Sequence, residues 1–359
     1  LLTIYEYVLA FRLGLIPADT VYEAAFETIG LRASLEDLSR LVSDHLQPYD
    51  RNRLSAYLSK EELAEEKGNP ENPFIKQGRA FFFRITDTIL DVEVKRGDLP
   101  TVFSSSISSI KRIYGMDRMI EILKALGNDK LDRTAYYYWS GSRTGKKECL
   151  SYLLQICYPL EGEDAGKLKE LLKGTKIKEQ KMIETAMYAP QWLDIIEEYL
   201  GWPGLKSGCY YFMAHMNERF DDKKKAMLAR YTPLTPEELN NGAFDVNWFE
   251  EAYSLLGEER FGRLYDAAKY ISDGSKHARA RKYADAALGR VTAQALEQAI
   301  REKRNKDLLM SYGLVPVQGK RELPRRYEFL QRFLKESRQF GAQRRASESL
   351  AVSVAMKNM

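Results

Sequence analysis

Cysteine and histidine are scarce in this 359-residue chain: three of each, Cys149, Cys157, Cys209, His45, His215 and His277. Three scattered cysteines cannot build a disulfide framework for a chain of this size, which places it in a reducing compartment, the cytoplasm. Closely spaced His/Cys pairs, the signature of converging metal ligands, are missing, so no metal site is expected. On one helix Cys149 and Cys157 would lie about 12 Å apart, too far for common zinc ligation, and both read as core thiols. Cys209 and His215 have no third ligand nearby. His45 lies on an apolar helical arc and reads as a satisfied, partly buried side chain. No histidine sits in a recognisable nucleophile motif, and no catalytic residue or cofactor is assigned.

Long hydrophobic runs are missing too. The apolar start, residues 1 to 16, is interrupted by Glu6 and Arg12. It falls short of the roughly 20 apolar residues that span a bilayer and lacks a cleavage site. It is expected to be a core helix, with no membrane partner. Proline is sparse at 12 residues, while 44% hydrophobic and 30% charged residues are ordinary for a folded chain. Since Leu1 is not an initiator methionine and no glycine cap precedes Met359, the chain is expected to be a piece of a longer protein.

What is present is helical periodicity. Leu35, Leu38, Leu41, Val42 and Leu46 share one arc opposite Glu36, Asp37 and Arg40, and Ser34 with Asp37 reads as a short capping box. Thr235-Pro236-Glu237-Glu238 is a stronger start signal, with a hydroxyl cap, a proline at the first helical position and a carboxylate three residues on. Pro17 with Asp19, and Pro190, mark further openings; Gly30, Gly127 and Gly201 stand where C-terminal caps belong. Residues 278–304 form the longest predicted helix, with Ala284, Ala287, Leu288, Val291, Leu296 and Ile300 on its apolar side. A second begins near Pro324, buries Tyr327, Leu330, Phe333 and Leu334, and breaks near Gly341. Asn69-Pro70-Glu71-Asn72-Pro73 is a loop. Leu90, Val92 and Val94 alternate like a strand, but Phe81, Ile85, Ile89 and Val92 also follow a helical stripe ending at Gly97. Helix is favoured there, with a small β-hairpin as the alternative.

These marks predict an all-α fold: an irregular, solenoid-like stack of antiparallel helices without a fixed-period repeat. Three units are expected, an N-terminal one over 1–68, a central one over 69–240 and a basic C-terminal one over 241–359.

Chemistry-bearing motifs are few. Gly141-Ser142-Arg143-Thr144-Gly145-Lys146 resembles a phosphate loop, but three residues rather than four separate its glycines, and Lys147 follows where Ser or Thr is needed. It reads as a polar turn opening the next helix. The pairs Glu197-Glu198 and Asp221-Asp222 read as solvated faces. Tyr136 to Trp139, Tyr210-Tyr211-Phe212, Trp192, Trp202 and Trp248 read as core packing, with a stacking or peptide-binding surface as the alternative. Net charge is only +4, yet residues 269–359 hold 20 basic against 9 acidic residues, which is +11 and leaves −7 for the remainder. Within that quarter Lys276, Arg279, Arg281 and Lys282 fall inside two helical turns and are the candidate anion or nucleic-acid contacts.

Several phrases carry a resemblance: Leu264-Tyr265-Asp266-Ala267-Ala268-Lys269-Tyr270, Asn305-Lys306-Asp307-Leu308-Leu309-Met310, and Tyr327-Glu328-Phe329-Leu330-Gln331-Arg332-Phe333, with Gln339-Phe340-Gly341-Ala342-Gln343-Arg344. They are similar to an interior portion of large bacterial proteins of unknown function, of the molybdate metabolism regulator-like, WGR-associated kind. The resemblance implies a long cytoplasmic multidomain chain with a helical interior and brings no catalytic motif. Three functions remain in view. The first is a structural and interaction module for other domains of the same polypeptide or for protein partners. The second is a nucleic-acid-associated module using the basic quarter. The third is part of an enzyme completed by other segments, with the Gly141 to Lys146 loop as the place to look.

Overall fold

The computed structural model describes residues 2–42, 48–64, 72–133, 143–216, 220, 222–272 and 274–359. The fold is all-α, an irregular helical array. Among the described residues the only strands are Ile113–Tyr114 and Cys157–Tyr158, which pair in parallel, residue for residue. The hairpin alternative near residue 92 does not form, because Phe81, Phe82, Ile85, Ile89 and Leu90 are buried along one helix, Pro73–Glu93. The chain divides into two compact units, residues 1–177 and 178–359. No described helix is long and apolar enough to cross a membrane.

In the first unit the Pro73–Glu93 helix is the central rod. Asn72 starts it: its side-chain oxygen accepts from the amides of Phe74 (2.8 Å) and Ile75 (3.3 Å), while Pro73 occupies a position whose missing amide costs nothing. The Leu31–Leu41 helix lies against it, burying Leu35, Leu38 and Leu41 as their spacing predicts. Each such side chain contributes about 1.5–3 kcal/mol. The start of that helix differs from expectation. Gly30, at φ 90°, precedes Leu31, and Ser34 sits inside the helix with its hydroxyl donating to the Ala25 carbonyl (3.3 Å). Asp37 is buried and salt-bridged to Arg40 (2.6 Å) and Arg53 (3.0 Å) instead of completing a cap. His45 and Leu46 lie outside the described residues, as do Asn69, Pro70 and Glu71 of the predicted loop.

In the second unit the Leu205–Met216 helix is enclosed on nearly every side, with Cys209, Tyr211 and Phe212 at its centre. Val246–Ala268 packs along it and is broken in the middle by Gly257, whose φ of 73° and ψ of 171° suit a residue without a Cβ. Gly208 permits the close approach: a Cβ there would stand 2.7 Å from a Leu256 methyl and 2.9 Å from a Leu264 methyl, one on each side of the break. The Thr235 capping box forms as read, the Glu238 amide donating to the threonine hydroxyl (3.2 Å) and the Thr235 amide to the Glu238 carboxylate (2.8 Å).

Two expectations for this unit are corrected. The single helix predicted over 278–304 is two, Ser275–Ala287 and Ala293–Lys303. Gly289, at φ 67°, ends the first, and the Thr292 hydroxyl caps the second by accepting from the Ala295 amide (3.2 Å). The apolar positions stay in phase across the gap, which is why periodicity alone reads straight through it. In the Glu322–Glu336 helix Leu330 and Phe333 are buried as expected, but Tyr327 is 50% exposed. Its place inside is taken by Arg326, fully buried, which donates to the carbonyls of Val315 (2.5 Å) and Pro316 (3.1 Å). A short 3-10 turn, Ser337–Gln339, then separates this helix from Ala342–Asn358, close to the break predicted at Gly341.

Gly313 offers a test of that last contact. It follows the Lys306–Tyr312 helix in ordinary right-handed conformation, but a Cβ there would overlap the Ala355 carbonyl and come within 3.2 Å of Asn358. Gly313→Ala is expected to cost about 1–3 kcal/mol through overpacking against backbone, read as a lowered urea midpoint. An unchanged midpoint would mean that the C-terminal helix is not seated there.

Candidate interaction site

In the first unit a short segment between the end of the Pro73–Glu93 helix and the 3-10 turn Ser104–Ser109 is tethered at both ends. Glu93 is the last residue of its helix, and its carboxylate is withdrawn from solvent together with the Arg96 guanidinium; the two pair at 2.8 Å. A bare buried carboxylate would be costly, so its remaining lone pairs need donors. Ser104 Oγ (2.9 Å) and Thr101 Oγ1 supply them, both from the far side of the loop. Arg96 in turn donates to Ser104 Oγ (2.9 Å) and to the Thr144 carbonyl (2.9 Å), just ahead of the Lys146–Gln155 helix. Phe103 closes the segment by packing on Phe26, ring centres 5.8 Å apart. The Cys149 thiol lies against the same cluster: burial, and after it the Glu93 carboxylate, push its pKa up to about 12, so it stays protonated and unreactive.

Clamped at both ends, the loop turns outward at Gly97 and Asp98 and carries two apolar side chains into solvent. Leu99 is 81% exposed and Val102 is 84% exposed. The residues on either side, Arg96 and Thr101 to Ser104, are held by charged and polar groups, while the two apolar side chains stand open to solvent. The sequence pattern ends a helix at Gly97 and marks no site beyond it. The missed signal was leucine and valine within a stretch otherwise punctuated by Gly, Asp and Pro, with Thr101 and Ser104 able to bond back.

The candidate anion contacts, all on the Ser275–Ala287 helix, are dispersed. Lys276 is buried and donates to Asn240 Oδ1 (3.0 Å), and Lys282 pairs with Asp307 (3.2 Å). Arg279 faces the Tyr283 ring at 5.9 Å and Arg281 the Tyr265 ring at 6.0 Å. The four point in different directions around their helix, and only Arg281 is largely exposed.

The other motifs fall into structural roles. Of the Gly141 to Lys146 loop, Gly141 and Ser142 lie outside the described residues; Lys146 opens the next helix 3.7 Å from Asp129, and Arg143 sits 3.2 Å from Asp132. Tyr136 to Trp139 and Asp221 are likewise outside them. Trp192, Trp202, Tyr211, Phe212 and Trp248 are buried, in agreement with core packing. Burial raises the thiol pKa of Cys157 and of Cys209. His215 is held between two backbone groups: Nδ1 donates to the Tyr211 carbonyl (2.9 Å), leaving Nε2 to accept from the Asp245 amide (3.3 Å). Burial lowers its pKa to about 4, so the ring is neutral. Among the described residues no group of three His, Cys, Asp or Glu could hold a metal ion.

A family model described as a family of unknown function, DUF5724, matches residues 1–359, the whole chain. The chain belongs to that family. No curated protein and no solved structure matches it. The likeness to molybdate metabolism regulator-like, WGR-associated proteins gains no support from these comparisons. Membership of DUF5724 assigns no reaction, so the functional reading rests on the chain's own surfaces.

Proposed function

We propose that this DUF5724 chain is a helical interaction module that docks another folded protein surface, in its own polypeptide or in a partner, through Leu99 and Val102. The observation that carries this reading is the exposure of both side chains on a loop anchored by the buried Glu93–Arg96 pair. Each aliphatic side chain contributes about 1.5–3 kcal/mol when a partner removes it from water. The hydrogen-bonded residues on either side limit the backbone ordering that a partner must impose. Apolar side chains inside a polar rim follow the general layout of a protein interface, and Asp98 and Lys95 supply exposed polar neighbours.

A photo-crosslinking amino acid at position 99 tests it. The expected outcome is one discrete crosslinked species that Val102→Asp reduces at least tenfold while thermal unfolding stays unchanged, since both positions are solvent-exposed. Crosslinking that is diffuse, or indifferent to Val102→Asp, would remove the reading.

A second reading, contact with a polyanion, is favoured by the +11 charge of residues 269–359. Arg279 and Arg281 are its candidates on the Ser275–Ala287 helix, with Lys276 and Lys282 engaged by Asn240 and Asp307.

A further inference from the structure

We infer that the outer face of the Glu322–Glu336 helix is a track for the phosphate backbone of a single-stranded nucleic acid. It rests on the same excess of basic residues as the polyanion reading but places the contact on a different helix, and it is independent of the Leu99–Val102 loop. Arg321, Arg325, Arg332 and Lys335 are all exposed. At 3.6 residues per turn they fall within about 80° of arc and extend over about 21 Å of axis. Arg325 alone of the four has an acidic partner among the described residues, Glu297 at 3.0 Å; Glu328 is the one carboxylate on the same arc.

The track is rigid. On the opposite face of the helix Phe329, Leu330 and Phe333 are buried, and the buried Arg326 ties its first turn to the carbonyls of Val315 and Pro316. The Ala293–Lys303 helix runs beside it in the same direction, as successive contacts show: Glu297 with Arg325, Arg301 over the Phe329 ring (5.4 Å), and Arg304 over the Phe333 ring (4.0 Å). The backbone that carries these cations therefore needs no ordering when it meets an anion.

Two features select a nucleic acid over an acidic protein segment. The arc from Arg321 to Lys335 carries charged residues only, with no apolar anchor of the kind a protein interface concentrates at its centre. Three of its four cations are guanidinium forks, which match phosphate oxygens two at a time. Half-exposed Tyr327 lies on the same helix about 80° beyond the edge of the arc, where its ring offers a surface on which an unpaired base can stack as the strand leaves the track.

Fluorescence anisotropy with labelled dT20, U20 and a 20-base-pair duplex tests this. With four phosphates neutralised and a salt slope of about −0.7 per contact, affinity for a single strand falls about 50-fold between 50 and 200 mM salt. Arg321→Gln/Arg325→Gln/Arg332→Gln/Lys335→Gln, combined on one chain, is expected to weaken dT20 binding at least tenfold and flatten that slope, with circular dichroism unchanged. Tyr327→Ala is expected to weaken single-strand binding and leave duplex binding alone. Binding that survives the fourfold change, or is lost instead with Arg279→Gln/Arg281→Gln, overturns the assignment. So does capture of a 20-residue polyglutamate with no binding of dT20 or U20, which would assign the face to an acidic protein. Val102→Asp, which disables the proposed protein contact, leaves oligonucleotide binding intact, so the two proposals fail separately.

Discussion

Arg96→Ala is expected to destabilise the first unit by about 3–5 kcal/mol, the cost of leaving a buried charge without its partner. Glu93 would remain inside with only the Thr101 and Ser104 hydroxyls to satisfy it, and the Thr144 carbonyl would lose its donor. The guanidinium stem fills volume as well, so part of the loss is packing. Two comparison chains separate these contributions. Arg96→Lys keeps the charge but cannot serve Glu93, Ser104 and Thr144 together, and should fall between wild type and alanine. Glu93→Leu with Arg96→Met removes both charges at similar volume and should recover most of the stability, because an apolar pair needs no compensation. That double variant also uncouples stability from loop order: with Thr101 and Ser104 no longer tethered, crosslinking from position 99 should become diffuse even though the unit unfolds near its original midpoint. A denaturation midpoint indifferent to Arg96→Ala would show that the pair is not buried as described.

Acid should weaken the second unit through His215. Its ring is enclosed by Tyr211, Phe244 and Trp248, and both ring nitrogens are bonded to backbone. Burial is the main reason its pKa falls from 6.5 to about 4; the hydrogen bond to the Tyr211 carbonyl and the Asp245 carboxylate pull the other way, and Arg279 adds to the lowering. Below pH 6.5 the unfolded chain takes up a proton that the folded chain refuses, so the unfolded state binds more protons and stability falls as pH falls. The loss begins near pH 6.5, is complete near pH 4, and amounts to about 3 kcal/mol at 1.36 kcal/mol per pH unit. Carboxylates titrate in the same range, so the informative quantity is a difference. In His215→Gln, where an uncharged side chain keeps one donor and one acceptor, stability should vary about 3 kcal/mol less over that interval. Identical pH profiles for the two proteins would place the ring in contact with water.

Helix positions were legible wherever local chemistry decides them. Leu35, Leu38 and Leu41 share a face because periodicity and burial are one requirement, and Thr235 caps because its partner Glu238 is three residues away. Ser34 has the same kind of neighbour in Asp37, yet both side chains are drawn elsewhere, to Ala25 and to Arg40 and Arg53. Local pattern cannot foresee such competition. Arg326 defeated the reading of its helix for a related reason: a wheel drawn from hydropathy puts arginine outside and tyrosine inside, whereas free carbonyls at Val315 and Pro316 reward the reverse. Neighbouring cations in the sequence, Lys276 to Lys282, diverge around a helix, whereas cations spaced by whole turns, Arg321 to Lys335, converge. The loop at Leu99 was invisible as a site because its rigidity comes from Glu93, Ser104 and Thr144, brought together only by folding.

The discontinuity at Gly257 has a practical corollary. Nothing lies within 4 Å of where its side chain would begin, and the segments before and after it are each seated on Gly208 through their own leucine. A short glycine-flanked reporter peptide inserted at this joint should therefore leave both segments docked, whereas a side chain placed on residue 257 itself would be strained by its positive φ.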